Sequence, residues 1–118
     1  MTIEPIDLKH KLSLFDDLWA PKIVGSFNGH DLMVVKIDGP FVWHDHPDTD
    51  DFFMVLSGAL TIETEHGNVD LSPGQIHVVP KGVKHRPVAH GPVELLLIEP
   101  AGTPNTGDAE TAATKVRI

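Results

Sequence analysis

Residues 39–58 read GPFVWHDHPDTDDFFMVLSG. This stretch has two histidines separated by a single residue, followed by aspartates and an apolar run. Side chains two residues apart on a β-strand point to the same face, with their backbone atoms about 7 Å apart. An ordinary strand with two solvated histidines would show the same tripeptide. On a strand, however, His44 and His46 could also converge on one ion, and a carboxylate follows within reach at Asp50 or Asp51.

A third histidine, His85, lies further along the chain after the turn Pro80-Lys81-Gly82. Three neutral imidazoles and one carboxylate suit a divalent first-row transition metal ion, and they leave coordination positions open for water or substrate. The chain has no cysteine, so any metal ligands must be nitrogen and oxygen atoms. The histidines and one of the two aspartates therefore form a candidate metal site.

Around these residues, turn signals recur every eight to twelve residues or so, which is typical of all-β sandwiches and barrels. Asn28-Gly29 predicts a two-residue hairpin turn, because both residues tolerate the positive φ that such a turn requires. His90-Gly91-Pro92 predicts another tight connection. The predicted strands are Lys22–Phe27, Asp31–Ile37, Phe52–Leu56, Leu60–Glu65, Val69–Leu71, Ile76–Val79, Val88–Ala89 and Val93–Ile98.

The two ends of the chain differ from this middle. The pattern of residues 7–18 fits a short helix and an extended arm equally well, and Trp19 is expected to pack that segment onto the β-domain. Small and polar residues after Pro100 predict an irregular tail. We predict a single domain with an N-terminal arm at residues 1–20, a barrel at 21–100 and a C-terminal tail at 101–118.

Charge and composition indicate which classes of binding partner to expect. The chain has 118 residues, 17 acidic and 9 basic side chains, and a formal net charge of −8. Nucleic acids and anionic membranes attract basic surfaces, so we expect neither as a partner. The first residues show no basic and apolar leader, and we expect a cytoplasmic protein.

The spacing of these residues resembles the two sequence motifs of the cupin superfamily. Gly39, His44, His46, Asp51 and Gly58 follow the order and spacing of the first motif. The second motif is matched by Gly74, Pro80, Gly82 and His85. The chain is similar to small single-domain cupins of type 2, many of which carry the label "mannose-6-phosphate isomerase-like". The resemblance implies an all-β double-stranded β-helix, a jelly-roll barrel of six to eight strands.

The same resemblance implies that His44, His46 and His85 are metal ligands, with Asp51 where the family usually has glutamate. The six residues between Asp51 and Gly58 favour Asp51 over Asp50 as the carboxylate ligand. Four residues, where the family usually has five, separate Gly39 from the histidine pair, and Ala89 replaces the final asparagine of the second motif. The expected cofactor is one divalent transition metal ion per chain, Fe, Mn, Ni or Zn.

By this resemblance the chain is expected to be a mononuclear metal-binding cupin. We favour a metal-dependent enzyme acting on a small polar organic molecule, by isomerase, dioxygenase, decarboxylase or lyase chemistry. The alternative is a non-catalytic barrel that binds a small ligand or senses metal. His77 is the candidate catalytic residue if it points inward, because histidine titrates near neutral pH. A homodimer is also expected, formed through the N-terminal arm or an outer sheet face.

Overall fold

A computed structural model describes residues 3–108 and 110–118 of the chain. Among these residues, eight strands form a single, mainly antiparallel sheet that curls around an apolar core, and one short helix lies before them. The elements are α1 Leu8–Leu12, β1 Lys22–Phe27, β2 His30–Pro40, β3 Asp51–Ser57, β4 Leu60–Thr64, β5 Gly67–Leu71, β6 Ile76–Val79, β7 His85–Pro100 and β8 Val116–Arg117. The all-β prediction is confirmed.

The long strand β7 organises the sheet. One of its edges pairs with β2, while its other edge pairs first with β4 and then with β3. The strand order is β5-β4-β7-β2-β1-β8, with β3 and β6 joined off this path. This path does not close into a continuous ring of strands, but it is consistent with the predicted jelly roll.

The predicted tight connection at His90-Gly91-Pro92 is wrong. β7 runs through these residues without a break, and the chain bends there because Gly91 adopts a φ of 89°. The pairing with β2 shifts register at the same place, between Ile37 and Gly39. A bulge therefore replaces the turn, since glycine supplies the left-handed backbone that the extra residues require. The hairpin at Asn28-Gly29 is confirmed, with φ of 48° and 76° at these two residues.

Alternating side chains fill the interior of the curled sheet. The main core contains the buried residues Met33, Val35, Ile37, Phe53, Val55, Leu60, Ile62, Leu71, Val79, Ala89, Val93, Leu95 and Leu97. Trp19 packs against this core and stacks on Phe41 with ring centroids 4.8 Å apart, as expected. A smaller cluster around Leu12, Val24 and Val34 attaches helix α1 to the outer side of the sheet.

Both chain ends are more ordered than their composition indicates. Asp7 caps α1 by accepting from the backbone N–H of His10, so the arm takes its helical alternative. The last residues form β8, which pairs in parallel with β1, although the sequence predicts an irregular tail over 101–118. The division at residues 20 and 100 stays a prediction. No helix in the described part of the chain has the length and apolarity needed to cross a membrane.

Candidate metal centre

The two motif segments meet through their backbones. His44 and His85 exchange both main-chain hydrogen bonds, at 3.0 and 2.9 Å, and the N–H of Gly82 donates to the carbonyl of His46. His44 and His46 do not lie on a regular strand. They lie in the connection between β2 and β3, where only His44 forms an isolated bridge. The convergence therefore depends on pairing with the segment that begins β7.

Four side chains from these segments converge. One ligand atom from each of His44, His46, Asp51 and His85 lies within 4.8 Å of the others. The Oδ2 atom of Asp51 lies 2.8 Å from Nε2 of His85, 3.3 Å from Nε2 of His46 and 3.9 Å from Nε2 of His44. All four side chains are at least nine-tenths buried. This group could bind a metal ion.

Hydrogen bonds on the outer side of the group fix the orientation of two of the imidazole rings. Nδ1 of His44 lies 2.8 Å from the carbonyl oxygen of Val42, and Nδ1 of His85 lies 2.8 Å from that of Val83. A carbonyl only accepts, so each Nδ1 is the protonated nitrogen, and Nε2 of a neutral ring presents its lone pair to the centre. This arrangement is the usual support for a histidine that binds metal.

The acceptor atoms of this group lack the protons or the positive charge that would compensate them. In a neutral His85, the lone pair of Nε2 faces a carboxylate oxygen of Asp51, which is another acceptor, at 2.8 Å. Among the described residues, Nε2 of His46 is the buried side-chain atom that has no hydrogen-bond partner. A cation between these atoms, or additional protons on the rings, would satisfy them. The donor set of three imidazoles and one carboxylate therefore fits a divalent transition metal ion.

Burial and mutual contacts shift the pKa values of three groups in this site. Burial acts to raise the pKa of the Asp51 carboxyl, but its contacts with His46 and His85 outweigh burial and the pKa lies below its usual value. Burial lowers the pKa of His44. Burial also acts to lower the pKa of His46, but the adjacent Asp51 outweighs it and that pKa is raised. The contacts of Asp51 with His46 and His85 thus favour the carboxylate form of this buried group.

The structure separates the two candidate aspartates. The Asp50 side chain is exposed and accepts a hydrogen bond from the backbone N–H of Lys81 at 3.0 Å, so it holds the neighbouring loop. Asp51, the first residue of β3, points into the interior instead. The geometry therefore brings Asp51, and not Asp50, to the three histidines.

His77 lies apart from this group. In the pairing of β3 with β6 it is opposite Phe53, so the two side chains share the inward face of the sheet. His77 is half-buried, but it belongs neither to the four-residue group nor to the lining of the adjoining cavity in the described chain. Its catalytic role stays a prediction.

A cavity that is partly open to solvent, with about 40 Å³ of space for water-sized molecules, adjoins His44 and Asp51. Its lining is mainly apolar and includes Trp19, Phe41 and Phe53. Two further polar residues, Glu99 and Asn105, also line it. Neither residue was predicted from the sequence to belong to the site. The alternation of Val93, Leu95 and Leu97 extends to Glu99 and was the available signal for that residue. Nothing in the sequence pattern indicates Asn105.

Glu99 forms an ion pair with the C-terminal segment. Its Oε2 lies 3.2 Å from Nζ of Lys115, and this ammonium group also donates to the carbonyl of Thr103. Burial, and then the negative charge of Asp51, raise the pKa of the Glu99 carboxyl, while Lys115 acts in the opposite direction. Both side chains are nearly excluded from water, with exposures of 5% for Glu99 and 11% for Lys115.

Sequence comparison assigns the family. A family model for the cupin domain matches residues 31–99, which is more than half of the chain. The chain therefore belongs to the cupin family, as its two motifs indicate.

The chain is also similar to individual proteins, one of which is described as a cupin. A cupin-2 domain containing protein from Shewanella frigidimarina NCIMB 400 is 40% identical, with a TM-score of 0.79, and the match covers 80% of this chain and 93% of that one. A solved protein from Neisseria meningitidis is 31% identical, with a TM-score of 0.74, and covers 83% and 100%. The uncharacterised protein YdbB of Bacillus subtilis (strain 168) is 30% identical over 87 residues, which is 64% of this chain and 77% of YdbB.

We expect Lys115→Met to lower the free energy of unfolding by about 3 kcal/mol, because it leaves the Glu99 carboxylate buried without its partner. The double variant Glu99→Met/Lys115→Met should recover most of that loss, since two apolar side chains can replace a buried ion pair at little cost. Urea denaturation of the three proteins measures both effects. A double variant as unstable as Lys115→Met would show that the ion pair does not cause the loss.

Proposed function

We propose that His44, His46, Asp51 and His85 bind one divalent transition metal ion per chain, Fe, Mn, Ni or Zn. We further propose that the protein is a metal-dependent enzyme acting on a small polar organic molecule in the adjoining cavity. The observation that carries the proposal is the set of three buried imidazoles around one buried carboxylate. A buried carboxylate of this kind is costly unless cations or donors compensate it, and a bound metal ion would do so.

Each part of the chain has a defined task in this proposal. A bound divalent ion supplies Lewis-acid chemistry, polarising an oxygen atom of the substrate. The carbonyls of Val42 and Val83 hold two imidazoles in the ligating tautomer. The apolar lining of the cavity excludes water, and Glu99 and Asn105 offer hydrogen bonds that orient the bound molecule.

A barrel that only bound a ligand or sensed metal would need the same four side chains. The cavity argues against a purely structural ion, because two of the four residues, His44 and Asp51, form part of its wall. A molecule in the cavity would therefore lie directly against the proposed metal ion. This placement is what a substrate needs and what a purely structural ion does not.

We expect Asp51→Ala to weaken the affinity for Ni²⁺ at least tenfold, because it removes the proposed anionic ligand. Asp50→Ala is the matched control and should change the affinity less than about threefold, since Asp50 only supports the loop at Lys81. Isothermal titration calorimetry measures both, and circular dichroism verifies that each variant is folded. The reverse order of the two effects would assign the ligand to Asp50.

We also propose that the protein is a homodimer formed through an outer sheet face. The outward side chains of β6 and β3 are apolar and adjacent, with Val78 opposite Phe52 and Ile76 opposite Met54. Ile76 and Val78 are 57% and 43% exposed on the edge strand. The N-terminal arm is the weaker alternative, because its helix already packs Leu12 against its own sheet.

Ile76→Lys should convert the dimer to a monomer, because it places a charge in the apolar face of the proposed interface. Ile3→Lys tests the arm in the same way, and we expect it to leave the dimer intact. Sedimentation velocity at micromolar concentration distinguishes these states. A wild-type monomer would contradict the dimer, and dissociation by Ile3→Lys alone would move the interface to the arm.

A further inference from the structure

The cavity beside His44 and Asp51 is lined by a few polar residues and is otherwise apolar. Among the described residues that line it, none is lysine or arginine, and the polar residues beyond the proposed ligands are Glu99 and Asn105. The lining also includes the stacked rings of Trp19 and Phe41, whose planes are inclined by only 16°. A sugar phosphate would have to bury several hydroxyl groups against this mainly apolar lining, and only the proposed metal ion, not a lysine or arginine of the described lining, could offset the charge of its phosphate.

Glu99 supplies a hydrogen-bond acceptor to the cavity. Lys115 occupies Oε2 and offsets the charge of the carboxylate. Oε1 is the other oxygen of this carboxylate, and Glu99 lines the cavity. A carboxylate oxygen is a strong acceptor for a hydroxyl group, so we expect a bound molecule to donate to Oε1.

Contacts within the C-terminal segment hold Asn105 in place. Asn105 lines the cavity, and its side-chain oxygen accepts from the backbone N–H of Ala113 at 2.9 Å. Gly107 packs against the carbonyl of Asp45 so closely that no side chain would fit there. Through this contact the segment is held against the connection that carries His44 and His46.

We propose that this cavity selects a small molecule with a flat apolar body and a hydroxyl group, and that it rejects sugar phosphates. The proposal rests on the function proposed above and narrows its substrate class. The hydroxyl group donates to Oε1 of Glu99, while the apolar body lies against the aromatic wall. The substrate is then polar at one end only.

Three probes test this selectivity on Ni²⁺-loaded wild-type protein: phenol, anisole and glucose 6-phosphate. Anisole has nearly the shape of phenol but lacks the donor hydrogen. A hydrogen bond to a charged acceptor should make phenol bind about tenfold more tightly than anisole. Glucose 6-phosphate should bind more weakly than both. Ligand-observed NMR titration gives the three affinities, and elemental analysis of the same sample gives the Ni²⁺ content.

The double variant Glu99→Met/Lys115→Met removes the acceptor without leaving a buried charge, so the preference for phenol over anisole should disappear. The exposed control Glu4→Met should retain the tenfold preference. If the double variant fails to fold, Glu99→Gln replaces it, and the preference should fall to about threefold or less because a neutral acceptor is weaker.

A preference that survives in the double variant, or in Glu99→Gln where that replaces it, would overturn the proposal, as would tighter binding of glucose 6-phosphate than of phenol. A wild-type protein that takes up no Ni²⁺ would instead contradict the proposed function. The phenol and anisole titrations can still be done on that metal-free protein, so the two failures are distinguishable.

Discussion

The buried carboxylate of Asp51 is the constraint on which the site depends. An ionised group in a protein interior costs several kcal/mol unless opposite charge or hydrogen-bond donors surround it. Here three imidazoles from two distant segments of the chain surround it, and additional protons on the rings or a bound cation would compensate its charge. The outer nitrogens of His44 and His85 are held by backbone carbonyls, so these two rings cannot simply turn away. The fold therefore holds four donor atoms together before any ion binds, which reduces the cost of assembling a metal site.

Strand β7 connects this group to the cavity. It begins at His85 and ends just beyond Glu99, and its bend at Gly91 lets the two halves pair with different strands. The pairing of Phe52 with Ile98 brings Asp51 and Glu99 to the same end of neighbouring strands. A single strand thus contributes to the proposed metal site and to the polar side of the cavity. The bulge that replaces the expected turn is what permits this double role.

Much of the site was predictable because it depends on local spacing. Two glycine-bounded motifs predicted the fold and the residues that converge, and the choice of Asp51 over Asp50 came from its distance to Gly58. A strand is compatible with His44 and His46, but a spacing of two residues fits any extended segment. Their actual placement is set by pairing with His85, which is a long-range contact.

Residues fixed by tertiary contacts were harder to predict. Glu99 was readable from the alternation along β7, but its partner Lys115 was not, since the pair joins a strand to a segment of small and polar residues. Asn105 and β8 belong to the same segment, whose order comes from contacts with β1 and Asp45. Composition predicts an irregular tail there, because it contains no information about which surface the segment contacts.

The central claim is that the histidines and Asp51 form a metal site. Elemental analysis of protein purified without added metal tests it most directly. The account predicts close to one Fe, Mn, Ni or Zn ion per chain, lost when His44, His46 and His85 are replaced by alanine. A protein that is isolated without metal, and stays metal-free after incubation with each of these four ions, would contradict the account.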